Sequence, residues 1–291
     1  MNLIRIVLIA LLLPLLNASA APAVDEIIAN TIARIERDKS LCPKYTNRVV
    51  AKSIKYDKKM NPDEITTMTK LAYHVNERIS EQIYSIDKDG KQLTPKEIDE
   101  RAKDQTEKWN DEHKDGKAKK SASRENFVDP LTTAGVGTYS FHLIETRDSV
   151  FSVVDAAVAG TKEIVDQSVQ RLTTYYVVQA RAITEDEKHL NATYWIDAKT
   201  YGLLRSEFAP SKMPSFVEML EFRLDYQIAK NGDSTIYFPQ RFELKGKAGF
   251  LFFKGRFGVV EEYSDYQCVD VIDESLLSTR YFYRPEEGQG K

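Results

Sequence analysis

Cysteine, tryptophan and histidine are scarce, at two, two and four copies in 291 residues. His74, His113, His142 and His189 stand far apart and no two share a metal-ligand spacing, which argues against a metal centre. There is no G-x-S-x-G elbow, and Gly135 to Thr138 lacks the lysine and the length of a phosphate loop. Asp87-Lys88-Asp89-Gly90 has the look of a calcium loop, but setting Gly90 at its sixth position puts Lys96 where the bidentate carboxylate belongs. It reads as a turn. Forty-one Lys and Arg mix evenly with forty-four Asp and Glu, so no basic face is set aside for nucleic acid. Beyond the N-terminus no apolar run is long enough to span a bilayer, and no alternation of strand and helix asks for a parallel sheet. With no nucleophile and base to nominate, the expectation is a non-enzymatic protein without cofactor or metal.

What is present begins with a leader. Residues 1–20 have Arg5 in a positive n-region, the apolar core "IVLIALLLPLL" and the small-x-small site Ala18-Ser19-Ala20, the pattern of a cleaved secretory signal. Its removal takes the formal charge from −3 to −4. The remaining 21–291 is expected as a single domain, exported and soluble. In an exported chain two cysteines, Cys42 and Cys268, favour a disulfide over a pair of buried thiols.

After the leader, Val24, Ile27, Ile28, Ile32 and Ile35 fall on one helical stripe, with Asp25 and Glu26 in the first turn where the helix dipole favours them. Thr94-Pro95-Lys96-Glu97 is a capping box opening a highly charged helix, on which Ile98, Ala102 and Trp109 form a thin apolar line. Such a helix is a surface element or a lid, with Trp109 as the candidate lid contact. The segment from Asp111 to Asn126 has almost no apolar content. Together these make a charged excursion at about 94–126 within the one domain.

The rest is strand and turn. In "VEMLEFRLDYQIAKNGD", Leu220, Phe222, Leu224, Tyr226 and Ile228 alternate with Glu221, Arg223, Asp225 and Gln227. The next run, "TIYFPQRFELKG", aligns Phe238, Phe242 and Leu244 against Arg241, Glu243 and Lys245, and Gly246 to Gly249 is expected to turn the chain again. Runs of this kind joined by short turns are antiparallel. The fold class expected is α+β: one curved antiparallel sheet with helices against its inner face.

Fifteen Tyr and thirteen Phe crowd these strands. Aromatics are good strand formers and fill cores, which accounts for most of them. A curved sheet that its helices cover only in part would use the others to line a cavity.

The segment "ATYWIDAKTYGLLRSEF", followed by "MLEFRLDYQIAKNGDSTIYFPQRFEL", resembles the LolA-like superfamily of outer-membrane lipoprotein-sorting proteins. Trp195-Ile196-Asp197, Lys199-Thr200, Leu203-Leu204-Arg205 and Phe238-Pro239-Gln240-Arg241 carry the likeness, which runs from about Ile27 to Tyr266. It implies a periplasmic half-open β-barrel with helices across its concave side, holding lipid or the acyl chains of lipoproteins. Membrane-associated donor or acceptor proteins would then be partners. The same architecture implies an alternative, a periplasmic sensor or regulatory protein that acts through a protein partner. Each methylene taken out of water is worth about 0.8 kcal/mol, so shelter for an acyl chain needs a dry hollow and no titrating group. The candidates for lining it are Tyr194, Ile196, Leu220, Phe222, Leu224, Tyr226, Phe238 and Phe242.

Overall fold

The computed structural model describes residues 22–76, 78–113, 127–157, 168–231, 234–250 and 253–284. The expected signal, residues 1–20, lies outside these residues, as does most of the charged segment after Asp111.

The apolar stripe forms helix α1, Val24–Leu41, which ends where Pro43 cannot continue it. Four strands follow: β1 Lys44–Tyr56, β2 Pro62–Val75, β3 Arg78–Lys88 and the short β4 Lys91–Gln92. Helix α2 spans Pro95–His113. Then come β5 Tyr139–Ala157, β6 Ser168–Ala182, β7 Leu190–Asp197, β8 Leu203–Pro210, β9 Val217–Asn231, β10 Ser234–Phe250, β11 Phe253–Cys268 and β12 Tyr281–Tyr283.

Local chemistry explains the joints. Asp89 and Gly90 both take positive φ, and Asp87 Oδ1 accepts from the Gly90 N–H, so "DKDG" closes the β3–β4 hairpin. At the head of α2 the Thr94 N–H donates to Glu97 Oε2 at 2.7 Å, and the Glu97 N–H donates back to Thr94 Oγ1. Between β7 and β8, Asp197 Oδ1 accepts from the N–H groups of Lys199 and Thr200, each at 2.8 Å, and Tyr201 takes φ 57°. The resemblance motif is thus a hairpin whose aspartate staples its own turn.

All twelve strands belong to one sheet, ordered β12-β3-β2-β1-β11-β10-β9-β5-β6-β7-β8, with β4 on β3. Among the described residues every pairing between these strands is antiparallel except β12 with β3 and β5 with β9. The sheet is half-rolled. One edge of β9 takes β8 at Phe222–Asp225 and then β5 at Ile228–Lys230, so strands β5 to β9 form a closed circuit. At the other end, among the described residues, β12 pairs with β3 alone and the sheet stays open. The fold is therefore α+β, a curved sheet in the form of a half-open barrel.

Helix α1 packs inside the rolled end. Ile27 and Ile28 share a core with Tyr176, Val178, Ala192, Tyr194, Ile196 and Leu203, and Val24, Ile32 and Ile35 pack against it. Helix α2 sits at the open end, where Ile98 and Ala102 meet Ile83 and Ile86, and Tyr281 and Tyr283 of β12 close over them. The two cysteines form a disulfide, with Cα atoms 5.5 Å apart, tying the end of α1 to the end of β11.

Two expectations for β10 are corrected. Gly246 and Gly249 do not turn the chain, because β10 runs through them to Phe250, which pairs with Phe253. A Cβ at Gly246 would lie 2.2 Å from the Phe257 ring, so this glycine makes room for an aromatic on β11 within continuous strand. Nor do Phe238 and Phe242 share a face. The register shifts between Pro239 and Arg241, so Phe238 pairs with Gln227 while Phe242 pairs with Leu224. Directly paired residues lie on the same face, and the extra residue reverses the alternation.

Candidate functional site: a cavity under helix α1

Between the C-terminal half of α1 and the rolled strands lies a cavity of about 670 Å³. Ile35 and the buried pair Arg34 and Asp38 line it from the helix. Leu190 and Tyr194 of β7, Ser206 and Phe208 of β8, and Leu224 and Tyr226 of β9 supply the strand wall. Ile236 to Pro239 of β10 line a further side, and Phe127, Pro130 and Leu131 reach in from the segment before β5. Exposed Glu36, Lys39 and Asn76 stand on the rim. The volume falls within the range of small-molecule sites, about 300–1,000 Å³, and most of the wall is apolar or aromatic.

The polar groups in the wall answer one another. Arg34 Nε donates to Asp38 Oδ1 at 2.9 Å, and Arg34 Nη2 donates to the Thr235 carbonyl at 2.5 Å. Asp38 Oδ2 accepts from the Tyr237 N–H at 3.0 Å, and the guanidinium lies 5.0 Å from the centre of the Tyr237 ring. Burial pushes Asp38 above the ordinary carboxylate range against the opposing pull of the Tyr237 N–H and Arg34. Burial likewise raises Tyr194 well above an ordinary phenol and Tyr237 to about 12, so both hydroxyls stay neutral. The pair thus rivets the helix to β10, and the one other carboxylate in the wall away from the rim, exposed Asp129, accepts from the Leu131 N–H at 2.9 Å.

Two close approaches shape the wall. Gly202 gives way to the Tyr237 ring, whose atoms come within 2.2 Å of where a Cβ would stand, and the Tyr237 hydroxyl meets Thr200 Oγ1 at 2.7 Å. Tyr139 holds the segment before β5 in place: its hydroxyl donates to the Val128 carbonyl at 2.6 Å and accepts from the Leu190 N–H at 3.1 Å.

No protein-family profile matches the chain, and no curated protein matches it. Among solved structures the chain is similar to LolA-like proteins. A LolA superfamily protein from Nitrosomonas europaea is 11% identical, covering 88% of this chain and 98% of its own, with a TM-score of 0.33. A putative outer membrane lipoprotein-sorting protein domain from Vibrio parahaemolyticus is 9% identical over 86% of this chain and 97% of its own, at 0.34. A DUF1329 family protein from Desulfovibrio piger is 9% identical over 87% and 96%, at 0.39. At such scores these likenesses lend no detail to the cavity, whose description rests on the residues above.

Of the sequence candidates, Tyr194, Leu224, Tyr226 and Phe238 line the cavity. Ile196 is fully buried in the core beside α1, and Leu220 is buried on the same face of β9 as Leu224 but further along the strand. Phe222 and Phe242 stand just past one end of the cavity, in an aromatic cluster with Phe208 and Phe127. Trp109 is not among the cavity residues, since α2 packs at the open end of the sheet. Arg34 and Asp38 are the residues sequence reasoning missed. Charged side chains ordinarily stay in solvent, yet both fall on the helical line that continues from Ile27 and Thr31, at i, i+4 from each other.

The histidines go separate ways. His74 stacks on Tyr45 at 4.2 Å and shares a hydrogen bond with Asn47, whereas His189 Nδ1 meets Asp186 at 2.9 Å. Among the described residues no three His, Cys, Asp or Glu side chains gather as a metal site would need, and no helix is long and apolar enough to cross a membrane.

Proposed function

We propose that this chain is an exported, periplasmic, non-enzymatic binding protein that shelters an acyl chain of a lipid or lipoprotein in the cavity under α1. It would serve outer-membrane lipoprotein or lipid trafficking, exchanging its cargo with membrane-associated donor and acceptor proteins. The observation that carries the reading is the cavity: a mostly apolar hollow of about 670 Å³ whose buried charged pair, Arg34 and Asp38, is satisfied within the wall. The disulfide agrees with an oxidising compartment, and the LolA-like resemblance of the hairpin motif agrees with the cargo class. Tyr194, Leu224, Tyr226 and Phe238 are the side chains assigned to the acyl chain.

The test is mass spectrometry of organic extracts from protein purified out of its native envelope, with Ile35→Trp as the comparison. Ile35 is half-buried on the cavity side of α1, so an indole there intrudes into the hollow and narrows it. Stoichiometric acyl lipid or lipoprotein on the native chain, lost from a folded Ile35→Trp variant, is the expected result. Empty native protein that keeps a protein partner would overturn carriage in favour of sensing.

A further inference from the structure

Resting on the acyl-binding reading, we propose that the Tyr194 hydroxyl donates a hydrogen bond to the carbonyl of an ester-linked acyl chain and so selects neutral acyl esters as cargo. Tyr194 is an exception to the pairing of polar groups in this wall. It lines the cavity and is 5% exposed, yet among the described residues its hydroxyl has no hydrogen-bond partner. The tyrosines around it are engaged: Tyr237 meets Thr200, Tyr139 joins Val128 to Leu190, and Tyr226 reaches Ser206 Oγ at 3.5 Å. A buried hydroxyl is ordinarily satisfied, and one that is not gains free energy when an acceptor arrives.

Position and charge define the acceptor. Tyr194 pairs directly with Ser206 on β8, which in turn pairs with Leu224 on β9, so all three share the cavity face of the sheet. Asp129 lies near enough to act on the Tyr194 phenol and is itself exposed, so this part of the cavity is close to solvent. A lipid ester sits between its acyl chain and a headgroup that stays in water, and that is the depth at which its carbonyl needs a donor. A free fatty acid would instead bring a carboxylate beside Asp129, and Arg34 is already committed to Asp38 and to the Thr235 carbonyl. Burying an unpaired carboxylate is strongly unfavourable, whereas a carbonyl asks for one hydrogen bond. Burial, with Asp129 adding to it, keeps the phenol protonated, so the donor is always present.

The experiment titrates the full mature chain, stripped of bound lipid, with hexadecanoyl lysophosphatidylcholine and with its hexadecyl ether analogue, each below its micelle concentration, by calorimetry. The two probes differ by one carbonyl. The native chain should bind the ester about fivefold more tightly than the ether, the return of one net hydrogen bond. Tyr194→Phe removes one oxygen and no hydrogen bond of the empty protein, so it should fold, bind the ester no better than the ether, and bind the ether as the native chain does. Ser206→Ala should keep the ester preference. Ionised hexadecanoate should bind the native chain more weakly than the ester. Equal affinity for ester and ether in the native chain, or a preference that survives in Tyr194→Phe, overturns the role of Tyr194 and leaves acyl binding standing. A preference lost in Ser206→Ala and kept in Tyr194→Phe places the donor on Ser206 and overturns it likewise. Hexadecanoate bound as tightly as the ester overturns the choice of a neutral cargo. Failure of both lysolipid probes to bind overturns the acyl-binding reading itself.

Discussion

Removing the Asp38 carboxylate tests what holds the cavity roof in place. In Asp38→Ala the Arg34 guanidinium keeps its charge in a site where its side chain is 8% exposed, and the Tyr237 N–H loses its acceptor. Breaking one partner out of a buried ion pair typically costs about 3–5 kcal/mol, because the remaining charge stays desolvated. Against a total stability of about 5–15 kcal/mol that is a large fraction. At about 2–4 °C per kcal/mol for a chain somewhat smaller than this one, the melting temperature should fall by roughly 10 °C.

The pair itself need not be stabilising, and the same burial that raises Asp38 says so. Taking two charges out of water can cost as much as their attraction returns. Hence Arg34→Met combined with Asp38→Leu should recover most of the loss seen in Asp38→Ala, while Asp38→Asn, which keeps an acceptor for Tyr237, should fall between. Urea unfolding of the four proteins, with the slope checked for constancy, ranks them. If Asp38→Ala costs less than about 1 kcal/mol, or the double variant is as unstable as the single one, the stranded-charge argument is wrong.

Two further outcomes follow from a buried histidine stacked behind Tyr45 of the cavity wall and from the disulfide clasp. Burial, reinforced by nearby Arg280, holds His74 down at about 4 from its ordinary 6.5. The unfolded chain therefore takes up a proton that the folded chain refuses. The contribution is intact above pH 6.5 and is lost as pH falls from 6.5 toward 4, by up to about 3 kcal/mol. His74→Phe should flatten that part of the stability–pH curve measured by urea unfolding, and an unchanged slope would refute it. Opening the Cys42–Cys268 bridge, by reduction or in the double serine variant, frees a loop with a sequence separation of 226 residues. The expected loss is about 3–5 kcal/mol by denaturant unfolding; a loss below about 1 kcal/mol would show that the clasp does not constrain the unfolded chain.

Much of the fold was legible because its local signals agree with one another. The capping box at Thr94, the "DKDG" turn, the stripe on α1 and the alternation of β9 each announce their element, and the structure has all four. What failed was the assumption that glycine means turn and that alternation persists. Gly246 is a glycine because an aromatic from the neighbouring strand lies over it, which depends on a pairing between β10 and β11. The extra residue between Pro239 and Arg241 is likewise defined only against β9. Both facts belong to register, and register is a property of two strands that neither shows alone.

The cavity was less legible for the same reason, and its position follows from how the two helices divide the sheet. An 18-residue helix is about 27 Å long. The first half of α1 buries Ile27 and Ile28 against β6 and β7, and its second half is held to the start of β10 through Arg34 and Asp38. The helix therefore crosses the rolled end at a fixed height, with its C-terminus clasped to β11 by the disulfide. Helix α2 is committed to β3 and β12 and does not reach in to fill the space beneath. A polar pair in the roof, in place of another isoleucine, sets the helix by directional bonds to Thr235 and Tyr237. Directional bonds fix a spacing that apolar side chains would close by collapsing inward, and the hollow persists because its roof is bolted to one wall.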